Sequence, residues 1–238
     1  MAVSVEEFQY RYGARTFAGY LAWNPELPGP RPGVLIVHEW LGPGENVKRR
    51  ARMLAELGFV GFAADVYGVD VRPTSAPQAA AAMGAALADR VELRGRLNMA
   101  LSVLQADRRV DARRVAAIGY CFGGGCALEL ARSGATLNGV VSFHGALQTT
   151  LPAQTKPLAK ILVLHGAEDP LVDPAKVSVF MDEMRAAQAD WQFVHYGNAV
   201  HGFTNPQAHD RAGGLCFDAL ADARSWQHMQ GFFAELFA

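Results

Sequence analysis

The sequence predicts an α/β architecture: a mostly parallel, doubly wound sheet with an antiparallel start and helices on both faces. Three observations carry that prediction. Short apolar runs alternate with stretches of helical spacing from residue 34 onward. Two aromatic and β-branched segments precede them as a candidate antiparallel pair, and a long helical pattern closes the chain. Strands separated by helices need crossover connections, and these produce parallel βαβ units.

Each element follows from its local pattern. FQYRYG and TFAGYLAWN make the antiparallel pair, and the Pro/Gly-rich NPELPGPRPG (24–33) is a loop. VLIVHEW (34–40) is a short apolar run of the fully buried kind. NVKRRARMLAEL (46–57) has helical spacing, and Gly58 supplies its stop. FVGFAADVYG (59–68) is a strand, 68–80 a surface excursion near the ligand site, and the alanine-rich 76–105 one or two helices. Then come a strand at 115–119, a helix at 123–132, strands at 139–145 and 160–166, a helix at 174–188, a strand at 192–196 and a final helix at roughly 215–236. With no repeat or long linker, residues 1–238 are expected to form one domain.

Composition narrows the function. A chain of 238 residues, half hydrophobic and 19% charged, is an ordinary globular protein with ample core. A net charge of −1 and a pI of about 6.7 offer no basic field to nucleic acid or anionic membrane. The start MAVSVEEFQYRYG lacks the pattern of a secretory signal, and no apolar run approaches the ~18 residues of a membrane span. The cysteines, Cys121, Cys126 and Cys216, are odd in number, and the first two are poorly spaced for a structural disulfide. A reduced, cytoplasmic protein is expected.

Ligands of such sheets collect at the carboxyl ends of the strands. Gly119-Tyr120-Cys121-Phe122-Gly123 stands there, with the G-x-nucleophile-x-G form of a nucleophile elbow. Its glycines make room for a strained turn that lifts the nucleophile clear, and the following helix N-terminus favours a thiolate. The Phe122 N–H is a natural oxyanion donor. A P-loop would need Lys-Ser/Thr after the glycines, and His38-Glu39 lacks the second histidine of a helical zinc motif. His201, after the last strand, is placed to act as general base, and Asp169, in HGAEDP, to orient its imidazole. Glu168 and Asp173 compete with Asp169, but Glu168 should face elsewhere and Asp173, before Pro174, suits a helix N-cap. Cys126, Cys216, His38, His144, His165 and His195 have the simpler reading of packing or rim residues.

With these residues in place, the chain resembles the dienelactone hydrolase family of α/β-hydrolases. The resemblance covers nearly the whole chain and rests on VHEWLGPGEN (37–46), RMLAELGFVGFAADVYG (52–68), GYCFGGG (119–125), HGAEDP (165–170) and HGF (201–203). It implies that Cys121 is the nucleophile, Asp169 the acid and His201 the base. It also implies that Glu39 restrains the thiol and that the Trp40 N–H completes the oxyanion hole with Phe122. Enzymes acting on dienelactone itself hold its carboxylate with arginines. Here Asn205 takes the place of one, and Arg72 lies in the region of the other.

The expected activity is hydrolysis of a small ester or lactone through a Cys-His-Asp triad and a thioester acyl-enzyme, with no metal or organic cofactor. A general carboxylesterase or thioesterase of the same fold is the alternative, and a reactive-thiol redox sensor without turnover the more distant one. Neither nucleic acid nor membrane is an expected partner, and the expected assembly is a monomer or weak homodimer.

Overall fold

The aromatic segments at the start of the chain pair as their pattern predicts. In the computed structural model, which describes residues 2–238, β1 (Ser4–Tyr12) and β2 (Arg15–Trp23) run antiparallel from Ser4↔Trp23 to Tyr12↔Arg15. The tight turn between them uses Gly13 at a φ of 58°. By its internal contacts the chain divides into two compact units, one ending at Ile118 and one running from Gly119 to Ala238.

The first unit continues with β3 (Arg31–Val37), α1 (Glu45–Glu56) and β4 (Val60–Ala64). Then follow α2 (Ala76–Ala88), α3 (Arg90–Ala106) and β5 (Val110–Tyr120), whose last two residues belong to the second unit. Its hydrogen-bonded strand order is β1-β2-β4-β3-β5, with β3 and β4 parallel and β2 antiparallel to β4. The core gathers where α1 lies on β4. Leu54, Val34 to Val37 and Phe62 are fully buried, and a Cβ at Gly61 would sit 2.7 Å from the Ala51 carbonyl oxygen. Full burial of such side chains contributes about 1.5–3 kcal/mol each.

The second unit contains α4 (Phe122–Arg132), β6 (Gly139–Phe143), β7 (Lys160–Gly166), α5 (Pro174–Ala186) and β8 (Trp191–Tyr196). A short hairpin, β9 (His209–Asp210) with β10 (Leu215–Cys216), precedes α6 (Ala219–Leu236). The strands β6, β7 and β8 are parallel neighbours in that order. Val140, Val141, Ile161–Leu164, Ala127, Leu130, Phe180, Met229 and Phe233 are all buried in the core of this unit.

Several boundaries differ from expectation for physical reasons. β3 begins at Arg31 because the Arg31 N–H donates to the Arg109 carbonyl at 2.8 Å, and it ends before His38-Glu39-Trp40. β4 stops at Ala64 because the Asp65 carboxylate accepts the N–H groups of Tyr67 (2.8 Å) and Gly68 (3.1 Å), folding the chain into a turn. The alanine-rich stretch is two helices because Asp89 breaks it and caps α3 through the Glu92 N–H at 2.9 Å. β5 starts five residues before 115, at Val110. β6 ends at Phe143, since His144 turns left-handed with a φ of 40°. The final helix starts at Ala219, not 215, because Leu215 and Cys216 pair with Asp210 and His209.

Candidate active site

Cys121 lies where β5 gives way to α4, with φ 55° and ψ −116°, a backbone conformation that side-chain-bearing residues rarely adopt. The glycines around it are sterically required. A Cβ at Gly119 would lie 1.9 Å from the Gly123 oxygen, and one at Gly124 would lie 2.7 Å from the Gly145 Cα and 2.8 Å from the Ser142 Oγ. Hydrogen bonds lock the turn. The Cys121 N–H donates to the Phe143 carbonyl at 3.0 Å, and the Gly124 and Gly125 N–H groups donate to the Cys121 carbonyl at 3.0 and 3.3 Å. The result is a half-exposed thiol at the N-cap of a helix whose first residue is Phe122. The helix dipole there favours negative charge.

Asp169 follows β7 in a turn closed by its own N–H to the Gly166 carbonyl at 3.2 Å. One carboxylate oxygen accepts the Leu171 N–H at 2.9 Å, and the other meets the His201 Nδ1 at 2.8 Å. His201 lies beyond β8 in a loop fastened to the hairpin, where its carbonyl accepts the Cys216 N–H at 3.1 Å. Gly166 allows the end of β7 to meet the loop that carries His201, since a Cβ there would lie 2.6 Å from the Ala199 oxygen.

His201 and Asp169 are both buried. The His201 Nε2 is buried as well and has no regular hydrogen-bond partner among the described residues, while the imidazole as a whole interacts with Cys121. Burial is the strongest single influence on this imidazole and opposes its charge. The bonds to Asp169 and Cys121, with the negative charges of both, outweigh burial and raise its pKa to about 10. An imidazolium held through neutral pH and facing sulfur is the partner a thiolate nucleophile needs, and its proton is the one a leaving alkoxide needs.

Two further residues join this group. His144, fully buried, accepts the Cys121 N–H on its Nδ1 at 3.2 Å, and its Nε2 meets the Thr204 Oγ1 at 2.8 Å. The sequence reading treats His144 as a packing residue and does not single out Thr204. The available signal was positional: His144 lies in the SFHG segment at a strand's carboxyl end, and Thr204 lies three residues after His201.

The remaining candidates are placed as follows. Glu168 is exposed and faces Arg211 at 3.3 Å, while Asp173 caps α5 through the Ala175 N–H at 2.8 Å. Cys126 is buried in α4, and the Cys216 thiol is directed to the Phe217 carbonyl at 3.6 Å. His165 is buried with an unpartnered Nδ1. Burial, against the pull of the Asp169 charge, lowers its pKa to about 4, so it stays neutral. Asn205 uses its side-chain oxygen to accept the Gln207 N–H at 3.0 Å.

Glu39, Trp40 and Arg72 belong to the first unit. The Glu39 carbonyl accepts from the His38 Nδ1 at 2.6 Å and from the Gly42 N–H at 3.1 Å, and the Trp40 carbonyl accepts the Tyr67 hydroxyl at 2.9 Å. These bonds fix the turn that carries both residues. Arg72 donates to the buried Asp65 carboxylate at 2.8 Å and to the carbonyls of Gly68 (2.6 Å) and Val71 (2.9 Å). It thereby neutralises an acid that would otherwise be costly to bury, and it borders a cavity of about 330 Å³ shared with Tyr20 and Lys48.

Among the described residues no cluster of three or more His, Cys, Asp or Glu side chains could hold a metal ion, and no helix is long and apolar enough to cross a membrane.

Comparison with known proteins agrees with this architecture. The dienelactone hydrolase family model matches residues 17–237. The solved structure of a protein called m3DLH is 42% identical over the whole of both chains, with a TM-score of 0.95. A dienelactone hydrolase-like promiscuous phosphotriesterase, P91, from metagenomic libraries is 41% identical over the whole of both chains, with a TM-score of 0.92. A putative carboxymethylenebutenolidase of Yersinia pestis is 25% identical across 91% of this chain and 82% of its own length. With its mostly parallel mixed sheet, α/β-hydrolase-like fold and strand-end site, the chain belongs to the dienelactone hydrolase family and is an ester or lactone hydrolase.

Proposed function

We propose that the protein hydrolyses a small ester or lactone with Cys121 as nucleophile, His201 as acid and base, and Asp169 as the group that orients and charges the imidazole. The observation that carries this reading is the buried His201, bonded to Asp169 at 2.8 Å, with a pKa that its interactions with Asp169 and Cys121 raise to about 10 against burial. The Cys121 thiolate attacks the carbonyl carbon, forming a C–S bond while the carbonyl electron pair moves onto oxygen. The Phe122 N–H at the head of α4 stabilises that oxyanion. Collapse expels the alkoxide, which takes the proton from His201 and leaves a thioester. Neutral His201 then draws a proton from water, hydroxide adds to the thioester, and the thiolate departs as the acid forms.

For Glu39 and Trp40 the proposal rests on the family's His-Glu-Trp segment. Glu39 restrains the thiol until substrate arrives, and the Trp40 N–H is the second oxyanion donor. Glu39→Gln should therefore quicken alkylation of Cys121 in the substrate-free protein, and an unchanged rate would remove that role. Arg72 is engaged with Asp65, and Asn205 replaces an arginine of the dienelactone enzymes. Both support a substrate without the dienelactone carboxylate.

The test is turnover of p-nitrophenyl acetate and of a small lactone by Cys121→Ala. The reading predicts no turnover above the uncatalysed rate, and undiminished turnover would overturn it.

A further inference from the structure

We propose that His144 is a positioning residue for the hydrolysis, tying the nucleophile's turn to the loop that carries the base and acting through Thr204. This rests on the reading of Cys121 as nucleophile and His201 as base. His144 is fully buried at the end of β6, with a left-handed φ of 40° that side-chain-bearing residues rarely adopt. Its own N–H is bonded to the Leu164 carbonyl at 2.8 Å, so the backbone has little freedom.

The ring's partners define its tautomer. Nδ1 accepts the Cys121 N–H at 3.2 Å, the longer branch of a bond shared with the Phe143 carbonyl at 3.0 Å, and as an acceptor it carries no proton. Nε2 is then the N–H and donates to the Thr204 Oγ1 at 2.8 Å. The ring also stands edge-to-face on His201, with centroids 5.1 Å apart, and on Phe203 at 5.2 Å. One side chain thus contacts the nucleophile's backbone, the ring of the base and a hydroxyl three residues beyond that base. The arrangement fixes the sulfur relative to the imidazole by linking the two segments that present them.

The experiment uses Thr204→Val, which keeps shape and loses the acceptor, Thr204→Ser, which keeps the acceptor, and His144→Phe, which keeps a ring and loses both nitrogens. Two rates are read: kcat for p-nitrophenyl acetate, and alkylation of Cys121 by iodoacetamide with the adduct mapped by peptide mass spectrometry. Thr204→Val should lower both about ten-fold, as for loss of one buried hydrogen bond, with KM nearly unchanged. Thr204→Ser should restore both, and the double variant with His144→Phe should be no slower than His144→Phe alone. Wild-type rates in Thr204→Val, or losses that add in the double variant, would overturn the proposal. Should His144→Phe fail to fold, the comparison of Thr204→Val with Thr204→Ser decides. If alkylation follows this pattern while the wild type hydrolyses no ester, the positioning of Cys121 stands and the hydrolytic reading falls.

Discussion

Gly119→Ala tests the architecture of the Cys121 turn through a single added methyl group. Its Cβ would lie 1.9 Å from the Gly123 oxygen, 2.2 Å from the Gly123 carbonyl carbon and 2.8 Å from the Gly124 nitrogen. All three are backbone atoms at the start of α4, so no rotamer change relieves the overlap. The strand and helix must separate by about 1.5 Å to reach ordinary contact, and overpacking of this kind costs about 3 kcal/mol or more. For a chain of this size that lowers the thermal midpoint by roughly 6–12 °C. A shift of about 1 Å in the nucleophile also costs on the order of 100-fold in rate. The assays are a melt followed by circular dichroism and alkylation of Cys121 by iodoacetamide, with Gly231→Ala as control. A Cβ at Gly231, exposed in α6, has nothing within 4 Å. That variant should be neutral or more stable by up to about 1 kcal/mol. A Gly119→Ala protein with wild-type midpoint and wild-type alkylation would refute the steric argument.

Three further outcomes follow from buried charges. Asp169→Asn removes the charge that helps hold His201 near 10, so its imidazolium should titrate lower by NMR and turnover should fall on the order of 10²–10⁴-fold. Because the folded value exceeds the unfolded 6.5, this group's stabilisation is complete below pH 6.5 and disappears as pH rises through about 10. Asp169→Asn should flatten that alkaline decline in the denaturant midpoint. His165 has the opposite sign: lowered to about 4 by burial, it leaves stability intact above pH 6.5 and removes it as pH falls toward 4. His165→Phe should reduce that acid slope in urea melts. Arg132, buried in α4, bonds to Glu183 at 2.7 and 2.9 Å and to the Leu147 carbonyl at 2.7 Å, with Glu129 at 3.4 Å. Arg132→Met removes the cation that faces both carboxylates and should cost about 3–5 kcal/mol in chemical denaturation, part of it recovered by adding Glu129→Leu.

What could be read in the sequence was what depends on local pattern. KILVLHG, an apolar run between a lysine and a glycine, matched β7 to the residue, and Pro174 after Asp173 gave the start of α5. GYCFGGG announced its turn because Gly119 answers a backbone clash with Gly123, only four residues on. Elements defined by distant partners were missed or misplaced. The polar stretch Asp111–Arg114 lies outside the strand expected at 115–119, yet it belongs to β5. Leu215 and Cys216 look helical, yet they pair with a strand five residues earlier. His144 depends on Cys121 and Thr204, 23 and 60 residues away, and no local spacing encodes that meeting.

The central claim is a covalent acyl group on Cys121, and rapid mixing with p-nitrophenyl acetate followed by acid quench and peptide mass spectrometry tests it directly. The account predicts a burst of nitrophenol equal to the enzyme present, one acetyl group on the peptide containing Cys121, and its loss when hydroxylamine cleaves the thioester. Acetyl on another residue, or full turnover in Cys121→Ala, would contradict it.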